Sequence, residues 1–210
     1  MPLHKIITVS PTSKILIWKI TESFESLSNE VQLKQKSAER ISGMKSELHQ
    51  RAFLCVRKLL QEIGYSDCDL HYDPFGKPYL DDGKHISISH SHEFASIMIS
   101  DQNIGIDLEM QREKITAIAH KFAEIESPFL NPHEKDYIKK LTVIWGAKEA
   151  IFKIRNEVGI SFKDHIEVKS FEILQKKTTA ILDFESKHIE YDIFFEEVEG
   201  FTLAYAFQKK

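Results

Sequence analysis

The stretch Gly105-Ile106-Asp107-Leu108-Glu109 continues a run that starts with Asn103 and Ile104, and it predicts a strand whose end carries two carboxylates. Residues two apart on a strand point to the same face, so Asp107 and Glu109 would aim at one point. Like charges held that close repel each other, and a hard divalent cation with oxygen ligands, Mg²⁺ first, relieves the repulsion. Taken alone, an Asp-x-Glu pair at a strand end is more often a solvated sheet edge.

A second stretch, Trp145-Gly146-Ala147-Lys148-Glu149-Ala150-Ile151-Phe152-Lys153, adds a carboxylate and an ammonium to the same half of the chain. Asn131 is a good N-cap, and it predicts a long helix that runs from there to about Ile154. Glu149 and Lys153 are four apart and share one face of that helix. Without other motifs, this pair would be an ordinary surface ion pair.

The overall charge argues against a protein that binds polyanions through bulk electrostatics. The 210 residues carry a net charge of −4 at a sequence pI of about 6.2, and the basic residues are concentrated between Val31 and Leu60. Nucleic-acid binding is therefore poorly motivated. A basic region beside an acidic one, residues 101–136, suits a ligand with phosphates and a metal, but charge alone favours a solvated basic helix for the first region.

Composition and cysteine usage predict a globular protein of the cytoplasm. Hydrophobic residues make up 42% of the chain and charged residues 29%, which is ordinary for one large or two small soluble domains. Cys55 lies in an apolar helical stripe, and two unlinked cysteines without a secretory N-terminus indicate a reducing compartment. The apolar run 15–18 is too short for a signal or membrane segment, so we expect no membrane association.

Hydrophobic periodicity predicts an α+β fold. A strand is expected over 13–21, a short helix from about Phe24, and one amphipathic helix from Ala38 to Ile63 that ends at Gly64. A further helix is expected over 115–122, and the other strands are predicted at 70–72, 85–90, 95–100, 104–108, 166–173, 179–184, 189–195 and 201–207. Each half then holds a small antiparallel sheet on a long helix. We expect two similar α/β subdomains, residues 1–102 and 103–210.

Four motifs together resemble the 4′-phosphopantetheinyl transferases of the longer, surfactin-synthetase-activating class. Beside the two stretches above, the supporting matches are Phe75-Gly76-Lys77-Pro78 and Ile86-Ser87-Ile88-Ser89-His90-Ser91. Their order and spacing carry the resemblance, which covers roughly residues 45–162. It implies a monomeric pseudo-dimer in which the N-terminal subdomain contacts the nucleotide of coenzyme A. It also implies that the metal and catalytic residues lie in the C-terminal subdomain and that the active site lies at the interface of the two subdomains.

The resemblance implies that coenzyme A donates its phosphopantetheine arm to a serine of an apo acyl or peptidyl carrier protein, releasing 3′,5′-ADP. Asp107, Glu109 and Glu149 would hold Mg²⁺ against the diphosphate. Glu149 would also accept the serine proton, directly or through water. Lys153 would stabilise charge on the leaving group. Lys148 belongs to the motif but is expected to point elsewhere.

The same resemblance assigns coenzyme A contacts upstream. His90 matches the residue that contacts the 3′-phosphate, Ser89 lies beside the nucleotide, and Lys77 reaches it from the Gly-Lys-Pro turn. Lys45 matches a basic residue that meets a coenzyme A phosphate. The chain departs from the family pattern just after Lys45, where the stretch 48–51 replaces a more basic cluster and leaves either His49 or Arg51 as the substitute.

Family members dock an acidic helical carrier, here expected between Glu109 and Trp145. Candidate apolar contacts are Phe122, Phe129, Leu130 and Tyr137, although each could equally belong to the core. Trp145 is expected to pack its helix against the Gly105 strand, and Gly105 to permit a close backbone approach.

Two other functions use the same residues. A metal-dependent phosphodiesterase could employ the three carboxylates, and a carrier-binding or nucleotide-binding module could retain the fold without catalysis. The intact Asp107, Glu109, Glu149 and Lys153 argue against a decayed site. The sequence leaves the identity of the carrier open.

Overall fold

The computed structural model describes residues 3–209, and the chain divides into two compact units, Met1–Gln102 and Asn103–Lys210. Each unit combines an antiparallel sheet with helices, which confirms the α+β prediction. Each also has its own hydrophobic core, built from the apolar faces of its sheet and its longest helix.

The first unit holds a four-stranded antiparallel sheet in the order β1-β2-β6-β5 and a separate hairpin formed by β3 and β4. Its strands are β1 (Leu3–Ser10), β2 (Ser13–Lys19), β3 (Leu70–Tyr72), β4 (Pro78–Leu80), β5 (His85–Ser91) and β6 (Phe94–Ser100). Strand β1 was not predicted from the sequence, and its side chains alternate between half-buried and exposed along most of the strand. The strands at 85–90 and 95–100 are confirmed to within one residue.

The helices of the first unit correct one prediction. They are α1 (Phe24–Glu30), α2 (Gln35–Ser42) and α3 (Glu47–Gln61). The single helix predicted over 38–63 is wrong, because α2 ends at Gly43 and the Ser46 hydroxyl caps α3 by accepting from the His49 N–H at 3.5 Å. Ile41 and Met44 both pack on the core, so the apolar period continues across the break and conceals it.

The second unit holds a five-stranded antiparallel sheet in the order β7-β11-β10-β9-β8, packed on one long helix. Its elements are β7 (Ile104–Met110), α4 (Tyr137–Arg155), α5 (Phe162–His165), β8 (Ile166–Val168), β9 (Lys177–Phe184), β10 (Lys187–Val198) and β11 (Phe201–Gln208). Short 3₁₀ segments lie at Glu113–Lys121, Ser127–Phe129 and Ile173–Gln175. The helix expected over 115–122 is thus a 3₁₀ segment, and the strand expected to reach 173 stops at Val168.

Helix α4 begins later than the capping signal indicated. The Asn131 side chain accepts from the His133 N–H at 3.0 Å and closes a turn, and the helix starts only at Tyr137. It ends where Asn156 adopts a left-handed conformation with φ of 51°. The Asn-Pro signal therefore marked a turn before the helix rather than the helix itself.

Two glycines let α4 lie directly on the sheet. A Cβ atom added to Gly105 would stand 1.9 Å from the carbonyl oxygen of Ala150, so only glycine fits at that point of β7. A Cβ on Gly146 would lie 3.0 Å from the Cβ of Ala204 on β11. The expected close approach at Gly105 is confirmed, and it sets the height of α4 above β7.

Across residues 3–209, the helices are too short or too polar to cross a lipid bilayer.

Candidate active site

Asp107 and Lys153 form the centre of the candidate site in the second unit. Asp107 lies in the middle of β7 and is only 4% exposed. Lys153 reaches it from the last turns of α4: its Nζ atom donates to Asp107 Oδ1 at 2.8 Å and to the carbonyl of Ile106 at 2.8 Å. The family resemblance assigns Lys153 to the diphosphate of coenzyme A. In the structure, its ammonium neutralises the buried carboxylate of Asp107.

Glu149 lies one helical turn before Lys153 and is half-buried. The pKa of its carboxyl is raised to about 7, chiefly by burial and also by the negative charge of Asp107. The Lys153 ammonium opposes this shift, while Glu109 adds a smaller contribution in the same direction. The charges of Asp107 and Glu109 both act on Glu149, so the three carboxylates named from the sequence are electrostatically coupled.

The donor set suits a hard cation, although it is not assembled into a metal cage. Within residues 3–209, no three His, Cys, Asp or Glu side chains are grouped closely enough to hold a metal ion. Carboxylate oxygens are nevertheless the ligands that Mg²⁺ prefers, and coupled like charges favour a cation between them. Asp107, Glu109 and Glu149 are the residues that would hold it, and Mg²⁺ at this point stays a prediction.

Lys148, which the sequence analysis left without a chemical role, is a fully buried ammonium. It is 0% exposed and forms an ion pair at 2.9 Å with Glu126, which is equally buried. Burial lowers the pKa of Lys148 and the charge of Glu126 opposes that shift. The sequence contained one signal for this arrangement, a lysine on a helix face whose neighbours Ile144 and Ile151 are apolar. Nothing in it identified the partner 22 residues away.

Trp145 packs at the edge of the second unit's core against two aromatic rings. Its ring centroid lies 5.1 Å from that of Phe122 and 5.6 Å from that of Phe162. The close approach of α4 to β7 is made by Ala150 and Gly105 instead. These ring contacts connect α4 to the segment around Phe122 and to α5, and the expected packing of Trp145 on the Gly105 strand stays a prediction.

An open cavity of about 260 Å³ lies beside Glu109. It is lined by the end of β7, the following 3₁₀ segment and α4, through Glu109, Met110, Arg112, Lys114, Ile115, Ile118 and Trp145. Phe122 is fully buried, so its expected role as a docking contact is wrong. Phe129, Leu130 and Tyr137 are partly buried and pack on the same core. The sequence analysis did not single out the residues that line the cavity, except Glu109 and Trp145.

In the first unit, His90 and Ser89 lie at the end of β5. Ser89 is buried and its carbonyl accepts from the Ser96 hydroxyl at 3.2 Å, whereas His90 is exposed. The His90 ring centroid lies 5.9 Å from that of His49, in the first turn of α3. Arg51 instead donates to the carbonyl of Ile20 at 3.3 Å. Of the two substitutes that the sequence left open, His49 is the one beside His90.

Lys77 and Lys45 occupy surface loops of the same unit. The Lys77 N–H donates to Asp73 Oδ1 at 2.8 Å, which closes the turn containing Gly76 at φ of 86°. Burial lowers the pKa of His85 and the charge of Lys77 lowers it further, so this ammonium lies near β5. Lys45 is exposed in the break between α2 and α3.

Comparison with known proteins gives two matches that fit this arrangement. Residues 103–206 match the family model described as the 4′-phosphopantetheinyl transferase superfamily. A protein named 4′-phosphopantetheinyl transferase gsp, from Aneurinibacillus migulanus, is 26% identical to this chain over 158 residues. The match covers 72% of this chain and 64% of the length of that relative. Both matches confirm the resemblance drawn from the four motifs.

Proposed function

We propose, because residues 103–206 match the family model of the 4′-phosphopantetheinyl transferase superfamily, that this chain transfers the 4′-phosphopantetheine arm of coenzyme A. The acceptor is a serine hydroxyl of an apo acyl or peptidyl carrier protein, and 3′,5′-ADP leaves. The observation that carries the proposal is the group formed by Asp107, Glu149 and Lys153, because all three lie in the matched region and interact with one another.

Three carboxylates of the second unit would hold Mg²⁺: Asp107, Glu109 and Glu149. When bound, the ion would neutralise charge on the diphosphate of coenzyme A, as divalent cations do in phosphoryl transfer. Lys153 supplies a positive charge from the protein itself. Its contact with Asp107 holds it beside the carboxylates, where its remaining donor capacity can stabilise negative charge on the departing 3′,5′-ADP.

Glu149 is the residue that takes the serine proton. The serine oxygen attacks the phosphorus attached to pantetheine, the bond from that phosphorus to the bridging oxygen breaks, and the proton passes to the Glu149 carboxylate, directly or through water. A pKa of about 7 supports this role, because a base works best when its pKa lies near the working pH. An ordinary exposed glutamate would be a weaker base.

Residues of the first unit bind the nucleotide end of coenzyme A. His90, Ser89, Lys77 and Lys45 take the roles that the family motifs assign to them. His49 joins His90, since its ring lies 5.9 Å away and both rings are exposed to solvent. Two imidazoles and two lysines supply donors for phosphate without requiring a strongly basic protein.

The carrier protein approaches the cavity beside Glu109. This location is supported by its apolar residues Ile115, Ile118 and Trp145 and by the cations Arg112 and Lys114 at the same cavity. An acidic helix fits such a surface, because its carboxylates meet the cations while its apolar side chains cover the apolar floor.

The direct test is intact-mass spectrometry of an apo carrier protein after incubation with this chain, coenzyme A and MgCl₂. We expect the mass of the carrier to increase by one phosphopantetheine group, and EDTA to abolish this increase. Glu149→Gln should reduce the rate of transfer by at least about 100-fold. Glu190→Gln, on the exposed side of β10, is the matched control and should retain activity. No gain with several apo carriers, despite measurable coenzyme A binding, would overturn the proposal; release of 3′,5′-ADP without a carrier would favour a phosphodiesterase.

A further inference from the structure

The buried ammonium of Lys148 uses all three of its donors within the protein. Its Nζ atom donates to the carbonyl of Phe122 at 2.5 Å, to the carbonyl of Phe162 at 2.9 Å and to Glu126 Oε2 at 3.1 Å. Glu126 in turn accepts from the N–H of Val168 at 2.8 Å through its other oxygen. An ammonium has three donors, so Lys148 has none left for a substrate.

These contacts join parts of the second unit that are distant in sequence. Lys148 lies on α4, Phe162 begins α5, and Val168 ends β8, while Phe122 and Glu126 belong to the segment that follows β7. Within that segment, the 3₁₀ stretch Glu113–Lys121 contributes no fully buried side chain. Ile115 and Ala119 pack on the core only partly buried, and the contacts at Phe122 and Glu126 fix the C-terminal end of the segment to the core.

The same segment forms one wall of the cavity beside Glu109. Ile115 and Ile118 line the cavity from the 3₁₀ stretch, and Trp145 lines it from α4. The Phe122 ring packs edge-on against Trp145 at 5.1 Å. Lys148 holds the carbonyl of Phe122, Phe122 packs on Trp145, and Trp145 lies at the cavity, so a direct series of contacts connects the buried ammonium to that wall.

We propose that Lys148 and Glu126 are positioning residues that fix the segment 113–126 and Trp145, and thereby shape the surface on which the carrier protein docks. The docking part of this inference rests on the proposed function. Neither residue touches substrate, since both are 0% exposed. Their effect is transmitted through Phe122 and Trp145.

The Lys148–Glu126 pair does not set the position of the neighbouring Glu149. Glu149 follows Lys148 in the chain, but its position above β7 is set by the contact between Ala150 and Gly105 and by Gly146 against Ala204. Loss of the Lys148 contacts leaves the contacts of Gly105 and Gly146 intact. We therefore expect the carrier KM to change while kcat and the coenzyme A KM stay the same.

The experiment uses Trp145 as its own reporter. The chain has two tryptophans, Trp18 and Trp145, so Trp18→Phe leaves a single fluorophore at the cavity. In that background, Lys148→Met is expected to raise acrylamide quenching of Trp145 about twofold. It is also expected to raise the carrier KM about fivefold, as for one lost hydrogen-bonded contact, with kcat and the coenzyme A KM within about twofold.

A double variant separates positioning from stability. Lys148→Met alone leaves Glu126 as a buried, unpaired charge, whereas Lys148→Met with Glu126→Leu removes both charges and should recover much of the lost thermal stability. The double variant still lacks the donors for the carbonyls of Phe122 and Phe162. Its Trp145 quenching and carrier KM are therefore expected to stay raised, and it provides the measurement if Lys148→Met alone fails to fold.

The matched control is Arg57→Met in the same Trp18→Phe background. Arg57 forms an ion pair with Asp67 at 2.8 Å whose side chains are 3% and 1% exposed, but it lies in the first unit. We expect it to lower thermal stability without changing Trp145 quenching or the carrier KM. A similar change in both readouts with Arg57→Met would reduce the Lys148 result to general destabilisation and overturn the positioning role.

The two hypotheses fail in different ways. Unchanged Trp145 quenching in both the single and the double variant overturns the positioning role, whether or not the chain is active. A fall in kcat at constant carrier KM also overturns it, because Lys148 would then act in the chemical step. Absence of transfer by the unsubstituted chain overturns the proposed function, while the fluorescence result still decides whether Lys148 positions Trp145.

Discussion

The Nζ atom of Lys153 lies 2.8 Å from Oδ1 of Asp107, and the carboxylate it pairs with is almost completely buried. The lysine belongs to α4 and the aspartate to β7, so the pair joins the helix to the strand at the candidate site. A substitution of Lys153 therefore affects both the stability of the fold and the proposed chemistry.

Lys153→Ala is expected to lower the free energy of unfolding by about 1–3 kcal/mol, because Asp107 would keep a buried charge without this partner. Urea unfolding in EDTA at pH 8 measures the change, and transfer activity is expected to be lost as well. Lys187→Ala breaks a surface pair with Glu157 and should change stability by less than about 0.5 kcal/mol. Equal effects of the two substitutions would show that the Lys153 contact contributes nothing beyond a surface pair.

Glu149→Gln is expected to stabilise the metal-free protein at neutral and higher pH. The folded-state pKa of Glu149 is raised from 4.5 to about 7. Its protonated carboxyl therefore contributes fully to the free energy of unfolding below pH 4.5, and this contribution is lost as the pH rises through about 7. The glutamine side chain of the variant cannot ionise and escapes this loss. The free energy of unfolding of Glu149→Gln relative to the unsubstituted chain should rise by up to about 3 kcal/mol between pH 4.5 and 8. A flat difference across that range would contradict the raised pKa.

Gly105→Ala is expected to destabilise the second unit by about 3 kcal/mol or more, because its Cβ would lie 1.9 Å from the carbonyl oxygen of Ala150. Relief of that clash requires α4 to move away from β7, so transfer activity should fall as well. Gly43→Ala is the matched control, since its nearest neighbour would lie at 3.6 Å and its φ is −80°. It should be neutral or slightly stabilising in urea unfolding. Similar losses for both glycines would argue against the close approach.

His49→Ala is expected to weaken coenzyme A binding about three- to tenfold, as for one lost hydrogen bond to a phosphate. Isothermal titration at pH 6.5 measures the change. His188→Ala, an exposed histidine paired with Asp183 in the second unit, should leave the affinity unchanged. If His49→Ala binds coenzyme A as tightly as the unsubstituted chain, its proximity to His90 has no role in nucleotide binding.

Most strands were predictable, whereas helix boundaries were less so. The strands predicted at 85–90, 95–100 and 201–207 agree with the structure to within one residue. The apolar residues and the turn residues of these runs fit only the pattern of a strand. The break between α2 and α3 was missed, since Ile41 and Met44 continue the helical period on the same core. The start of α4 was misplaced because Asn131 caps a turn rather than a helix. Capping residues satisfy backbone groups in both structures, so local sequence does not distinguish them.

At the candidate site, too, some features were predictable from the sequence and others were not. The four motifs and the family they resemble identified Asp107, Glu149 and Lys153 as site residues, and the structure brings these three together. The sequence identified Lys148 only as part of a motif, because the partner of a buried lysine is set by tertiary packing. It also left His49 and Arg51 as alternatives, since both fall in one turn of a helix and only the position of β5 distinguishes them.

The sequence by itself determined the α+β class, the family and the chemical types at the site, because these depend on residue identity and on periods of two and 3.6 residues. Only the tertiary structure decided which charges meet. The Lys153–Asp107 pair, the Lys148–Glu126 pair and the cavity beside Glu109 all join segments separated by more than 20 residues. Such contacts depend on how closely α4 lies on the sheet, and that distance is set by the absence of a side chain at Gly105.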